Sequence, residues 1–156
     1  MEKLEIVADT REKKDAHITQ WLAENGHALE SRKLDAGDYT AQLEDMTFER
    51  CFVVERKASL DELCMNLTTD RDRFRREFLY TKAYGIKVYL LIEDASWSDV
   101  LLGNYTSRLS PVSLLATLMS WQTRYDITVI FCRKQNSAKL IYSLLYYAAR
   151  EELLYG

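Results

Sequence analysis

Apolar residues along the chain recur with two periods, one near two residues and one near 3.6, and the switches between them mark the elements. Residues 4–9 (LEIVAD) read as a first strand. Residues 15–26 put Ile18, Trp21 and Leu22 on one helical face, with Asp15 as N-cap and Gly26 as the stop. Segments 28–34, 37–43 and 51–57 then read as three successive strands. A helix starts at Ser59, and the charged segment 69–85 forms another, with Phe74 and Phe78 one turn apart. Residues 87–94 (KVYLLIED) are a continuous apolar run of strand length, the pattern of a strand buried on both faces. Ser110 and Pro111 open a helix to about Tyr125, with Leu114, Leu115, Leu118 and Met119 inward. Residues 126–132 are another buried strand, and 136–155 a long closing helix. This order predicts a single α/β domain over 1–156, one mixed sheet flanked by helices.

Composition alters that picture little. At 47% hydrophobic and 29% charged, with five glycines and one proline, the chain has enough apolar residues for a core without staples. It contains no apolar run near the ~18 residues of a membrane span, so no membrane partner is expected. Its start lacks the basic-then-apolar pattern of a signal peptide. Three widely spaced cysteines, Cys51, Cys64 and Cys132, point to buried thiols in a reducing, intracellular compartment. The net charge of −3 disfavours a purely electrostatic nucleic-acid binder but leaves room for an enzyme with a local basic patch. His17 and His27 read as surface residues.

The chemistry concentrates in VVERKASLDEL, residues 53–63. Side chains alternate faces along a strand, so Glu55 and Lys57 share a face and Arg56 points away. Taken alone, that pair reads as a surface ion pair worth about 0–1 kcal/mol. Centring the preceding hairpin loop between Met46 and Thr47 changes this, because it sets Asp38 opposite Glu55. Two opposed carboxylates are destabilising unless a cation lies between them. Hard oxygen ligands in a partly open site suit Mg²⁺ or Mn²⁺. Ser59 and Glu62 form a capping box for the next helix, which places Asp61 in its first turn. There Asp61 either complements the helix dipole or serves the metal site. Asp9, Arg11 and Glu12 cluster at the end of the first strand, where α/β sheets commonly place sites.

These residues together resemble the nuclease domain of the XPF family of structure-specific endonucleases, a branch of the restriction-endonuclease-like PD-(D/E)xK superfamily. The shared signature is Gly37-Asp38, a gap, then Glu55-Arg56-Lys57-Ala58-Ser59-Leu60-Asp61, preceded by Ala8-Asp9-Thr10-Arg11-Glu12 at the first strand. The resemblance implies a restriction-endonuclease-like α/β fold with a central mixed sheet. It implies Asp38 and Glu55 as metal ligands, with the Arg56 carbonyl as a third and Asp9 as a further candidate. Lys57 would serve the attacking water, and Asp9, Arg11, Glu12, Arg56 and Asp61 would complete the catalytic ring. It implies a Mg²⁺- or Mn²⁺-dependent endonuclease acting on branched DNA near single-strand/double-strand junctions. Two departures stand out. Glu77 occupies a position where the family often has glutamine, and no helix-hairpin-helix repeat follows residue 94.

Arg71, Arg73, Arg75, Arg76 and Lys82 are expected to contact phosphates from the flanks of their helix. The closing helix carries more apolar surface than one core-facing stripe needs, and the family's pairing habit makes a homodimer the expectation. Rival readings are a non-catalytic DNA-binding scaffold, a Holliday-junction resolvase or an RNA-directed nuclease of the same superfamily.

Overall fold

The computed structural model describes residue 1 and residues 3–156. Strands β1 (Leu4–Ala8), β2 (Ala28–Ser31), β3 (Tyr39–Leu43), β4 (Met46–Thr47), β5 (Phe52–Lys57), β6 (Lys87–Glu93) and β7 (Ile127–Cys132) form one mixed sheet. Its order is β2-β1-β3-β5-β6-β7, with the short β4 paired to β3. Strand β3 runs antiparallel to β1 and β5, whereas the pairs β1–β2, β5–β6 and β6–β7 are parallel. Helices α1 (Ala16–Glu24) and α6 (Ser137–Tyr155) cover one face. Helices α2 (Leu60–Thr68), α3 (Arg71–Ala83), α4 (Trp97–Leu102) and α5 (Pro111–Tyr125) cover the other. No helix among the described residues is long and apolar enough to cross a membrane.

Strand β5 divides its residues between the two cores. Val53 packs with Leu63, Phe74 and Leu90 beneath α2 and α3, while Val54 packs with Ile6, Tyr39 and Leu91 beneath α1 and α6. All six of its residues are buried, the three charged ones included. The same alternation carries Glu55 and Lys57 to the α3 side and Arg56 to the α1 side.

The hairpin reaches its expected register by a different path. Its turn falls at Glu44–Asp45, with Leu43 paired to Met46 and Gln42 to Thr47. Continued unbroken, that ladder would not set Asp38 against Glu55. Residues 48–51 then leave the ladder, held by the Phe48 amide on the Ala41 carbonyl and the Cys51 amide on the Phe48 carbonyl. When pairing resumes, Tyr39 faces Val54, so Asp38, one residue before β3, stands across from Glu55.

Other expectations shift in detail. Met119 is 49% exposed, and Trp121 and Tyr125 fill the inner face of α5 with Leu114 and Leu118. The periodicity misassigned Met119 because α5 rolls its two aromatic rings onto Phe78. Strand β7 is an edge strand with only Ile127 fully buried, not a doubly covered one. Asp15 precedes α1 without capping it; its carboxylate instead accepts the Tyr39 hydroxyl at 3.2 Å.

Candidate active site

Gly37-Asp38 enters β3 through a turn only glycine can make. Gly37 has φ +78°, and a Cβ there would lie 2.6 Å from the Val53 Cβ. Asp38 is then clamped by both neighbouring strands. Its amide donates to the Val54 carbonyl, its carbonyl accepts the Asp9 amide, and its Oδ2 accepts the Arg56 amide at 2.7 Å. Burial, together with the charges of Glu12 and Glu77, pushes its pKa up to about 8 despite the Arg56 amide and Lys57. Glu55 is likewise raised well above the ordinary carboxylate range, by burial first and then by the charges of Asp38 and Glu77. Lys57 Nζ lies 3.1 Å from Glu55 Oε1 and 4.9 Å above the Phe74 ring. Burial disfavours its charge, but Glu55 and Asp38 overcome that and raise its pKa, so Lys57 is held as an ammonium.

Arg56 points to the opposite face and is fully engaged there. Its guanidinium grips the Glu12 carboxylate through Nε and Nη2, donates to the Lys13 carbonyl and reaches Glu93 Oε1 at 2.8 Å. The other Glu93 oxygen lies 2.6 Å from His17 Nε2. His17, expected at the surface, is instead partly buried as the outer end of this chain. His27, also expected at the surface, is partly buried and stacks on Tyr142 with centroids 3.7 Å apart.

Asp9 is an anchor. Its Oδ2 accepts the Arg11 amide and Nε, and its Oδ1 accepts the Leu34 amide and, at 3.4 Å, Arg11 Nη2. Burial alone would raise its pKa, but these donors outweigh it and hold the carboxyl below its usual range. With both oxygens taken by N–H groups, Asp9 is a poor further metal ligand.

Helix α3 forms the facing wall. A single cleft of about 830 Å³ brings together Asp9, Arg11, Glu12, Asp38, Glu55, Arg56 and Lys57 with Arg73, Arg76 and Glu77. The set of α3 cations expected to contact DNA therefore splits. Arg73 and Arg76 line the cleft. Arg71 instead lies 5.6 Å from the Trp121 ring of α5, and Arg75 acts electrostatically on the Tyr125 hydroxyl of the same helix. Lys82 is exposed but does not line the cleft.

Asp61 is not brought to the cleft. Ser59 caps α2 by accepting the Glu62 amide, and Glu62 returns to the Ala58 amide, so the capping box forms with its second arm one residue early. That geometry turns Glu62 into the cleft and Asp61 away, onto the amides of Thr106 and Ser107 at 2.9 and 2.8 Å. These two bonds hold its pKa below the ordinary value.

Glu77 is the residue that reasoning from sequence did not place in the site. Its Oε1 accepts the Gly37 amide at 2.8 Å, tying α3 to the turn that carries Asp38. The available signal was glutamate standing where the resembling family has glutamine.

The donor set suits a hard dication. Two carboxylates with raised pKa values face each other, and the buried Asn66, 8% exposed in the same cleft, has a side-chain oxygen with no hydrogen-bond partner. No set of three His, Cys, Asp or Glu side chains among the described residues forms a ready-made cage. An ion that keeps several waters and binds one or two carboxylates plus a substrate phosphate needs none.

The model of the ERCC4 domain family matches residues 8–144. Two solved structures with the same fold are XPF from Aeropyrum pernix (TM-score 0.69, 23% identity) and the same protein in complex with DNA (0.67, 21%). The alignments cover 95% and 94% of this chain and 63% and 65% of theirs, so the chain spans less than two thirds of their length. No curated protein matches the sequence.

Proposed function

The chain belongs to the ERCC4-domain family of XPF-type nuclease domains, and from that premise we propose that it is a Mg²⁺- or Mn²⁺-dependent endonuclease that hydrolyses DNA phosphodiesters at branched or junction sites. The observation that carries the reading is the gathering of Asp38 and Glu55 in one cleft, just past the Tyr39–Val54 pair of β3 and β5, with Lys57 3.1 Å from Glu55. Two buried carboxylates that resist ionisation together fit a site completed by a cation.

Asp38 and Glu55 would hold the ion, with the Arg56 carbonyl as the third oxygen. When bound, the dication supplies an acidified water and positive charge against the phosphoryl oxygens. Lys57 would orient the attacking water and neutralise developing charge on the phosphate. Arg56 fixes the strand between these groups from its other face. Arg73 and Arg76 hold strand phosphates along the cleft wall. A relative of the same fold solved with DNA supports DNA as the ligand. Pairing of two copies is part of the reading, as is a reducing intracellular setting, in keeping with three free cysteines.

The test is incubation of the protein with fork, flap, four-way and linear DNA, and with RNA, in Mg²⁺ or EDTA, beside Asp38→Asn. Loss of several kcal/mol of charge stabilisation predicts a drop of at least ~10²-fold for the variant. Cleavage that survives EDTA or Asp38→Asn defeats the reading. Absence of cleavage on every substrate favours a scaffold.

A further inference from the structure

One face of α3 does not end at the acids. Positions 73, 77, 80 and 84 follow one another at helical spacing, so Arg73, Glu77, Tyr80 and Tyr84 form a single stripe. The first three line the cleft. The stripe then leaves the cleft as an aromatic pair. Tyr80 and Tyr84 have centroids 4.7 Å apart at 48°, and Arg50 holds its guanidinium 4.4 Å from the Tyr84 centroid and 5.9 Å from that of Tyr80. Tyr84 is 55% exposed, and Arg50 is also exposed.

Tyr80 is partly buried and packs its inner side against the core beneath α3, but Tyr84 has no such role. Tyr84 follows the last residue of α3, where the chain turns at Gly85 towards β6, and its ring contributes to neither hydrophobic core. Arg50 lies over the Tyr84 ring, and a partly exposed ring stacked with a planar guanidinium is the chemistry on which a nucleobase stacks. Every base has a π-face, and arginine adds a cation that neutralises the neighbouring phosphate. Asp35, on the cleft wall near Tyr80, disfavours a phosphate there and so turns the base side of a strand towards the rings.

We propose that Tyr80, Tyr84 and Arg50 form a base-stacking platform for the single-stranded segment that runs out of the acid cleft. From Glu77 to Tyr84 is about 10 Å along the helix, at ~1.5 Å per residue. That is about three nucleotides at the ~3.4 Å per nucleotide of a stacked strand. The platform would hold a strand two or three nucleotides from the bond being cut, without reading its sequence. The proposal rests on the nuclease reading for its orientation along the cleft.

The experiment compares two labelled probes by fluorescence anisotropy in EDTA, a short oligothymidylate and an abasic strand with the same number of phosphates. Wild-type protein should prefer the base-bearing strand by about 5-fold or more, the lower end of what one stacked base contributes. Tyr84→Ala should remove that preference while leaving the abasic affinity unchanged, and Tyr84→Phe should keep it. Equal binding of both probes by wild type, a preference that persists in Tyr84→Ala, or one lost in Tyr84→Phe overturns the platform. Mg²⁺-dependent cleavage of fork DNA by the same preparation separates the two ideas. Cleavage without base preference removes the platform alone; base preference without cleavage removes the nuclease reading alone.

Discussion

Asp38 keeps its proton because burial and two carboxylates, Glu12 and Glu77, oppose its charge, and this has a thermodynamic consequence. The folded value is about 8, against an ordinary 3.8 that the unfolded chain should show. Between these values the native state binds more protons, so stability contributed by this group is full below the lower value and is lost as pH rises through the upper one. In metal-free buffer the urea midpoint should therefore fall as pH is raised from about 4 to 8. Asp38→Asn should flatten that fall, and Mg²⁺ should reverse it at the upper end. An equally steep fall in Asp38→Asn would mean that other groups set it. Asp61 makes the contrasting case. Its hydrogen bonds secure the 103–110 segment and nothing in the cleft, so Asp61→Asn should lower the melting temperature while folded protein cuts at an unchanged rate. A loss of cleavage larger than the loss of folded protein would return Asp61 to the site.

Helix α3 has two charged flanks with different surroundings, and only one faces the acids. Removing a phosphate contact flattens the slope of log K against log salt by ~0.9 on duplex DNA. Arg73→Ala with Arg76→Ala should therefore flatten it by about 1.8, whereas Arg71→Ala with Arg75→Ala should leave it unchanged, since those two side chains lie against α5. Equal effects from both pairs would contradict the split. Sequence reasoning could not see that split, because helical periodicity identifies the buried stripe through Phe74 and Phe78 but not what each flank meets. The same limit explains Glu77, whose partner Gly37 is forty residues away in the chain. Strand β5 was legible because its period of two is fixed by the backbone, so Glu55 and Lys57 had to share a face. The hairpin was legible only in outcome. The turn at Glu44–Asp45 and the excursion at residues 48–51 have opposite effects on register, and together they restore the pairing that a single wider loop implies. Asp61 was misplaced because a first-turn residue can face either way, and the Glu62 cap decides which.

Two large concavities lie at opposite ends of the same strands. The acid cleft is lined by Glu55, Arg56 and Lys57, at the carboxyl end of β5, where open α/β sheets place their ligands. The other, a groove of about 580 Å³, is lined by Cys51, Phe52, Lys87 and Tyr89 at the amino ends of β5 and β6, and by Leu140, Leu144 and Tyr147 of α6. At its edge the last turn of α6 leaves Leu154 57% exposed and Tyr155, which lines the groove, 81% exposed. Apolar surface of this kind marks an interface more often than a solvated face. A second copy seated there would leave both clefts open, because no residue lines both concavities. Sedimentation equilibrium at micromolar concentration should therefore give the mass of a dimer. Leu144→Asp with Leu154→Asp should return it to a monomer whose circular dichroism and metal-dependent cleavage per subunit are retained. A wild-type monomer at every concentration rejects the interface. Dissociation that abolishes cleavage in a still-folded monomer would mean that the cleft draws on the partner copy, against the separation of the two ends.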